Sequence, residues 1–313
     1  MDPLEAFIGL ARLILLAMVP YTLASQGTML AGRAGVFNVA QEGIMLLGAS
    51  VGFLAALRGG SLWVGVLAAA LAGGLLGLAL AYFTSTLKMD QFVIGLALFF
   101  VGLGVSSLAF KLMVGVTLVL PQIPTLPNLK VPLLGDLPVI GPILFDQNAL
   151  VYFSVLVSLG LYYYLYRTSW GLELRAVGEN PKSADSMGIN VAAQQYAAAI
   201  LGSMLIGLAG AYLPMVYTGT FTQGIVQGRG WLSIALTFFG GWRPGLIFAG
   251  ALFFALVEVV SLRAQIMGGA IPHQFLRMLP YLTTILVMIF AFRWVRVPAF
   301  LGQNYDREKR SLS

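Results

Sequence analysis

Long apolar runs separated by brief polar punctuation make up most of this chain. A helix crossing a bilayer needs about 20 mostly apolar residues, since each adds about 1.5 Å against a hydrocarbon core about 30 Å thick. Runs that meet or approach this length lie at 6–24, 37–57, 62–87, 92–110, 148–166, 191–213, 231–241, 246–262 and 278–296. The pattern predicts an all-α, polytopic transmembrane helical bundle of about nine spans. The run at 231–241 is too short to cross alone. With Gly228, Gly230, Gly240 and Gly241 around it, it reads as a broken or re-entrant helix joined to 225–230. The stretch 27–43 has the same glycine-interrupted character around polar Asn38, Gln41 and Glu42. Two such segments, each with a Gly-Arg pair (Gly32–Arg33 and Gly228–Arg229), point to a transport path built from an internal pseudo-repeat.

Composition narrows the chemistry. At 59% hydrophobic and 10% charged, the 313 residues cannot cover a soluble surface. The chain has no cysteine and one histidine, His273, so a thiolate or imidazole metal cluster and a cysteine nucleophile are excluded. No Gly-Lys dipeptide occurs, so the phosphate-cradling loop of ATPases is absent. No enzyme activity and no resident cofactor are expected. The formal charge of +6 reports orientation in such a chain rather than nucleic-acid binding.

Lys and Arg set that orientation. With the N-terminus outside and nine alternating spans, eleven basic residues fall in inner segments and six, Arg229 and Arg263 among them, in outer ones. Arg12 is left to snorkel from the first span. The excess favours an extracytoplasmic N-terminus and a cytoplasmic tail at 297–313. Because the opening residues are acidic and Arg12 interrupts the first apolar run, that run does not read as a signal peptide.

Two segments outside the spans carry information. The outer segment 111–147 holds six prolines, which forbid a long helix, and keeps apolar runs expected to pack as a cap on which a soluble partner docks. The inner segment 167–190 contains a short punctuated helix, 181–187. Asn180 suits the N-cap, Pro181 the first helical position and Gly188 a left-handed C-terminal residue. So short a helix is marginal alone, so something packs on it: its own bundle or a partner.

Five stretches then carry a family likeness: 32–45 (GRAGVFNVAQEGIM), 90–98 (DQFVIGLAL), 137–145 (LPVIGPILF), 174–189 (LRAVGENPKSADSMGI) and 230–244 (GWLSIALTFFGGWRP). In their order and spacing the chain resembles the permease subunits of ABC importers for nucleosides and simple sugars, within the wider ribose and branched-chain amino acid permease group. It departs from the usual pattern at Phe37 and Gln41. The resemblance implies one permease domain over 1–313, multi-pass in the cell inner membrane. It implies a second homologous permease as a heterodimer partner, and an extracytoplasmic substrate-binding lipoprotein. It further implies a cytoplasmic ABC ATPase that binds ATP and Mg. The segment around Glu179, Asn180, Pro181, Lys182, Ala184, Asp185, Met187 and Gly188 matches the coupling helix that contacts the ATPase in such permeases.

Within the membrane, Asn38, Gln41 and Glu42 fall at helical spacing on one face, as a polar lining of the path or as an internal clamp on the broken helix. Arg33 is the counter-ion of Glu42 or an inner-side anchor. Trp231, Phe238, Phe239 and Trp242 suit stacking on a base, and equally anchoring at the membrane interface. Asn38, Gln41, Glu42, Trp231 and Phe239 are therefore the path candidates. Glu258 and Arg263 read as an interfacial pair or as solvated charges. The competing function is a secondary, ion-coupled transporter, for which Glu42 and Glu258 would be the embedded carboxylates.

Overall fold

A computed structural model describes residues 3–115, 119–132, 134–266, 272–291 and 295–306. Among them run helices α1 (Pro3–Arg33), α2 (Gln41–Gly59), α3 (Leu62–Ala81), α4 (Gln91–Val114), α5 (Ile140–Leu144) and α6 (Ala149–Arg167). After these come α7 (Ser169–Glu179), α8 (Pro181–Ser186), α9 (Val191–Tyr212), α10 (Arg229–Phe239), α11 (Pro244–Ile266) and α12 (His273–Ala291). Wider-wound π turns extend α3 through Tyr82–Thr86 and α9 through Leu213–Thr218. Seven helices (α1, α2, α3, α4, α6, α9 and α11) are long and apolar enough to cross a membrane. α12 holds a shorter apolar stretch, Gln274–Ile289, and α10 has only 11 residues. The nine expected runs thus resolve into seven full helices, one shorter helix and one half-helix.

The first helix is longer than its apolar run. It continues through Gly27 and Gly32 to Arg33, and the break is confined to 34–40. The two Gly-Arg pairs are not equivalent positions: Gly32–Arg33 closes α1, whereas Gly228–Arg229 opens α10. That dipeptide therefore does not mark a repeat.

Contacts sort the helix ends into two groups. One end gathers Gly35, Lys88, Gln91, Gly178, Glu179 and Asp185 around the stretch 295–306. The opposite end joins Arg12 to Asp146 at 2.9 Å, and the backbone of Ile123 to that of Gly219 at 2.8 Å. The start of α1 and the stretch 295–306 therefore lie at opposite ends of the bundle. Residues 119–132 and 134–148 form the cap at the α1 end. A two-stranded antiparallel ribbon pairs Asn128–Lys130 (β1) with Asp146–Asn148 (β2), and the buried Ile123 and Leu126 bond through their backbone to Gly219 and Met215.

α9 is the central post, packed on α1, α2 and α3. Glycines allow the close approach that helices in lipid exploit. Gly202 of α9 faces Gly27 of α1 so closely that a Cβ on either would collide with the other's carbonyl oxygen. Gly202→Val is expected to destabilise the bundle by about 1–3 kcal/mol, the usual cost of overpacking a tight core. Thermal unfolding in detergent checks this. Gly104→Ala, on an open face of α4, should not lower the melting temperature, since Ala is the better helix former.

Candidate translocation junction and coupling end

Residues 34–36 turn off the end of α1 with backbone bonds to Ala31 and Gly32, and 37–40 re-enter the bundle outside any helix. Backbone at membrane depth must find partners within the protein. The amide side chains of three residues provide them. Gln91 accepts from the Phe37 N–H at 2.6 Å, Asn38 Oδ1 accepts from the Ala40 N–H at 2.9 Å, and Gln195 donates to the Ala34 carbonyl at 3.4 Å. Asn38 also donates to the Ser203 hydroxyl at 3.3 Å, which fastens the break to α9. Asn38 therefore lies in the break, before the first residue of α2, and not on a shared helical face with Gln41 and Glu42 as its spacing implied. Gln41 and Asn38 are fully buried.

The second break ends where the first does. Glu42, in the first turn of α2, accepts from the N–H of Gly228 through Oε1 and from that of Gly230 through Oε2, both at 2.8 Å. One carboxylate thus satisfies two otherwise unpaired donors at the start of α10, where the helix dipole also favours negative charge. Gly230 lies so close to the Glu42 backbone that any side chain there would collide with it. In this geometry Glu42 clamps two broken helices together. Arg33 is not its counter-ion: Arg33 donates to the Trp242 carbonyl at the other end of α10.

Arg229, counted above among outer-loop charges, is instead held, partly buried, in an ion pair with Glu258 of α11 at 2.5 Å. Its guanidinium also donates to the carbonyls of Ile225 and Val226, so it ties down the chain entering α10. Glu258 is therefore paired with Arg229 and not with Arg263. Both members of the pair line a cavity of about 920 Å³ between α1, the end of α9, residues 218–229 and α11. Arg263 lines the same cavity.

An aromatic face flanks the junction. Trp231 packs edge-on against Phe99 with centroids 5.7 Å apart, Phe100 follows it, and Tyr281 of α12 donates to the Gln227 carbonyl at 2.8 Å. Trp231, Phe100 and Tyr281 are exposed. Phe99 is the ninth residue of α4, about 12 Å along a helix about 36 Å long. Trp231 therefore packs about a third of the way along α4. The other aromatics are elsewhere. Phe239 stacks on Phe254 at 5.9 Å between α10 and α11, away from the junction, and Trp242 is buried at 1% exposure. Sequence reasoning missed Phe99, Phe100, Arg229, Tyr281 and Ser203. Of these, only Arg229, next to Gly228 and Gly230, carried a local signal.

At the other end, α7 and α8 form a rigid shelf. Thr168 caps α7 by accepting from the Gly171 N–H at 3.1 Å, and Asn180 caps α8 by accepting from that of Ser183 at 3.0 Å. Gly188 adopts φ of 86°, the left-handed conformation that glycine favours. α8 ends at Ser186, one residue short of the 181–187 expected, with Met187 as its C-cap. Pro181 and Ala184 face inward, and Ala184 packs with Val177 of α7 and Val191 of α9. Outward face Lys182, Ser183, Ser186 and Met187, the last 82% exposed. The stretch 295–306 straps this shelf to both the break and the α3–α4 turn. The Phe300 N–H donates to Gly178, that of Gly302 to Gly35, Asn304 to the carbonyls of Lys88 and Met89, and Tyr305 to Asp185. Burial there holds the Lys88 ammonium below its ordinary value, with Asp306 acting in the opposite sense. The tail residues 307–313, Arg293 and the side chain of His273 lie outside the described residues.

A bundle of long apolar helices, with two broken helices meeting inside it and a polar shelf at one end, defines a polytopic membrane transport protein. Residues 9–291 match the family described as branched-chain amino acid transport system / permease component, and the chain belongs to that family. It is similar to the nucleoside ABC transporter permease protein NupC of Lactococcus lactis, 36% identical over 95% of this chain and 96% of that one. The guanosine ABC transporter permease protein NupQ of Bacillus subtilis is 30% identical over 99% of this chain and 100% of its own length. TsgC13 of Haloferax volcanii, ascribed to an ABC transporter for glucose, is 33% identical over 96% and 98%. The chain is thus an integral membrane permease component of the ABC type, and an ion-coupled carrier finds no support among these relatives.

Proposed function

We propose that this chain and a second homologous permease, as a heterodimer, enclose a path that imports nucleosides. A separate cytoplasmic ATPase drives it, and an extracytoplasmic binding protein feeds it. The strap end is cytoplasmic and the proline-rich cap faces outward, which agrees with the distribution of basic residues. The observation that carries the reading is the junction. The starts of α2 and of the half-helix α10 meet at Glu42, and beside them lies an exposed aromatic face free to meet a second subunit. Trp231, Phe100 and Tyr281 suit the planar base of a nucleoside, since such rings stack on any π face with little dependence on its edge. Relatives are named for nucleosides, for guanosine and for glucose, so the aromatic face is what favours a nucleoside over a free sugar. Energy arrives at α8, whose protruding Met187 and Lys182 supply apolar contact and charge registration to a protein partner.

Uptake into proteoliposomes that carry both permeases, the ATPase and the binding protein tests this reading. Labelled guanosine or uridine should accumulate only with internal ATP and should persist when ion gradients are collapsed. Accumulation of glucose or leucine with no nucleoside uptake would overturn the cargo. Loss of uptake on collapsing the gradients would overturn the energy source.

A further inference from the structure

A second cavity, of about 740 Å³, opens at the strap end between the ends of α1, α6, α7 and α11. Arg33, Arg167, Arg175, Arg243 and Arg296 all line it, and Glu179 is its one carboxylate among the described residues. None of these five arginines forms an ion pair among the described residues. Arg33 is spent partly on the Trp242 carbonyl, and Arg175 lies over the Tyr166 ring at 5.0 Å. Glu179 also accepts from the Ala299 N–H, and its single negative charge leaves most of the positive charge unbalanced. Five like charges around one cavity repel each other unless an anion joins them. Forked guanidinium groups fit the oxygens of a phosphate especially well.

The cavity also has an apolar exit. Tyr162 and Tyr166 line it from α6, and one or two turns back along that helix Leu156, Leu159 and Tyr163 are exposed on the same side. These positions recur every three or four residues and form a continuous track from the arginines into membrane depth. A soluble phosphate would use only the basic cup. A phospholipid uses both parts, with its headgroup among the arginines and its acyl chains on the track.

We propose that this cup binds the phosphate headgroup of an anionic phospholipid whose acyl chains lie along the exposed face of α6. The assignment rests on the chain spanning a membrane and is independent of the cargo. The test uses the assembled transporter in nanodiscs of phosphatidylcholine alone or with added phosphatidylglycerol, and native mass spectrometry counts the lipid retained. Wild type should keep phosphatidylglycerol through desolvation, and excess inorganic phosphate should not displace it. Each arginine near an anionic lipid is worth a factor of about five in binding, so the Arg243→Gln, Arg296→Gln double variant should retain about 25-fold less. Leu159→Glu, which spares every arginine, should also lower retention. Unchanged melting and co-elution with the partner subunits show that these variants fold. Equal retention in variant and wild type would overturn the proposal. Displacement by inorganic phosphate would overturn it in favour of a free-phosphate site. Loss of the ATPase from the double variant with lipid retained would assign the cup to protein docking.

Discussion

Glu42→Ala is expected to abolish import. The carboxylate accepts two backbone N–H groups at 2.8 Å, in a setting where water does not replace it. Hydrogen bonds to a charged group contribute about 1.5–3 kcal/mol each, so the two together are worth about 3–6 kcal/mol. Removing the side chain leaves the Gly228 and Gly230 N–H groups without partners at membrane depth, where each costs several kcal/mol. α10 should then detach from the start of α2, and the aromatic face carried by Trp231 should lose its position. Glu42→Gln keeps the shape but one acceptor oxygen only, and it should retain partial uptake. Glu42→Ala should reduce ATP-dependent uptake at least tenfold while co-purification with the partner permease and ATPase falls much less. Full uptake by Glu42→Ala would show that the two breaks do not need each other.

Met187→Glu carries the second large effect. Met187 is 82% exposed and makes no part of the buried cluster around Ala184, so a charge there should leave the fold intact. An apolar side chain this prominent on a capped, strapped shelf is the kind of anchor that a partner's pocket buries. Losing such an anchor commonly costs 2 kcal/mol or more, about thirty-fold in affinity. ATPase binding and substrate-stimulated ATP hydrolysis should therefore fall together, while docking of the binding protein on the far side is untouched. Ala184→Glu disrupts by another route: Ala184 is 3% exposed, and a carboxylate there would push α8 off α7 and α9. Tight, fully coupled ATPase association in Met187→Glu would remove the shelf from the energy pathway.

The long helices were legible because a bilayer imposes a length and an apolar composition that any reader of the chain can count. The caps of α8 were legible for a local reason as well, since Asn180, Pro181 and Gly188 act on backbone within a few residues. The junction was not. Glu42 is separated from Gly228 and Gly230 by 186 and 188 positions, and no short-range pattern announces that a carboxylate will cap a remote half-helix. Helical spacing misplaced Asn38 because it presumes a helix, and the chain is not helical where Asn38 stands. Arg229 looked like a loop charge because its partner, Glu258, lies 29 residues away on a separate helix. Phe239 shares a short apolar run with Trp231 but faces α11, a choice made by the packing partners rather than by the run.

The orientation of the shelf bears most directly on whether this chain is an ATP-driven importer. The chain has no cysteine, so Met187→Cys places a single thiol on the outermost side chain of the shelf. In intact cells an impermeant maleimide should leave that thiol unlabelled. Permeabilised cells should label it, and bound ATPase should shield it. Labelling from outside intact cells would put the shelf on the wrong face of the membrane and contradict the account.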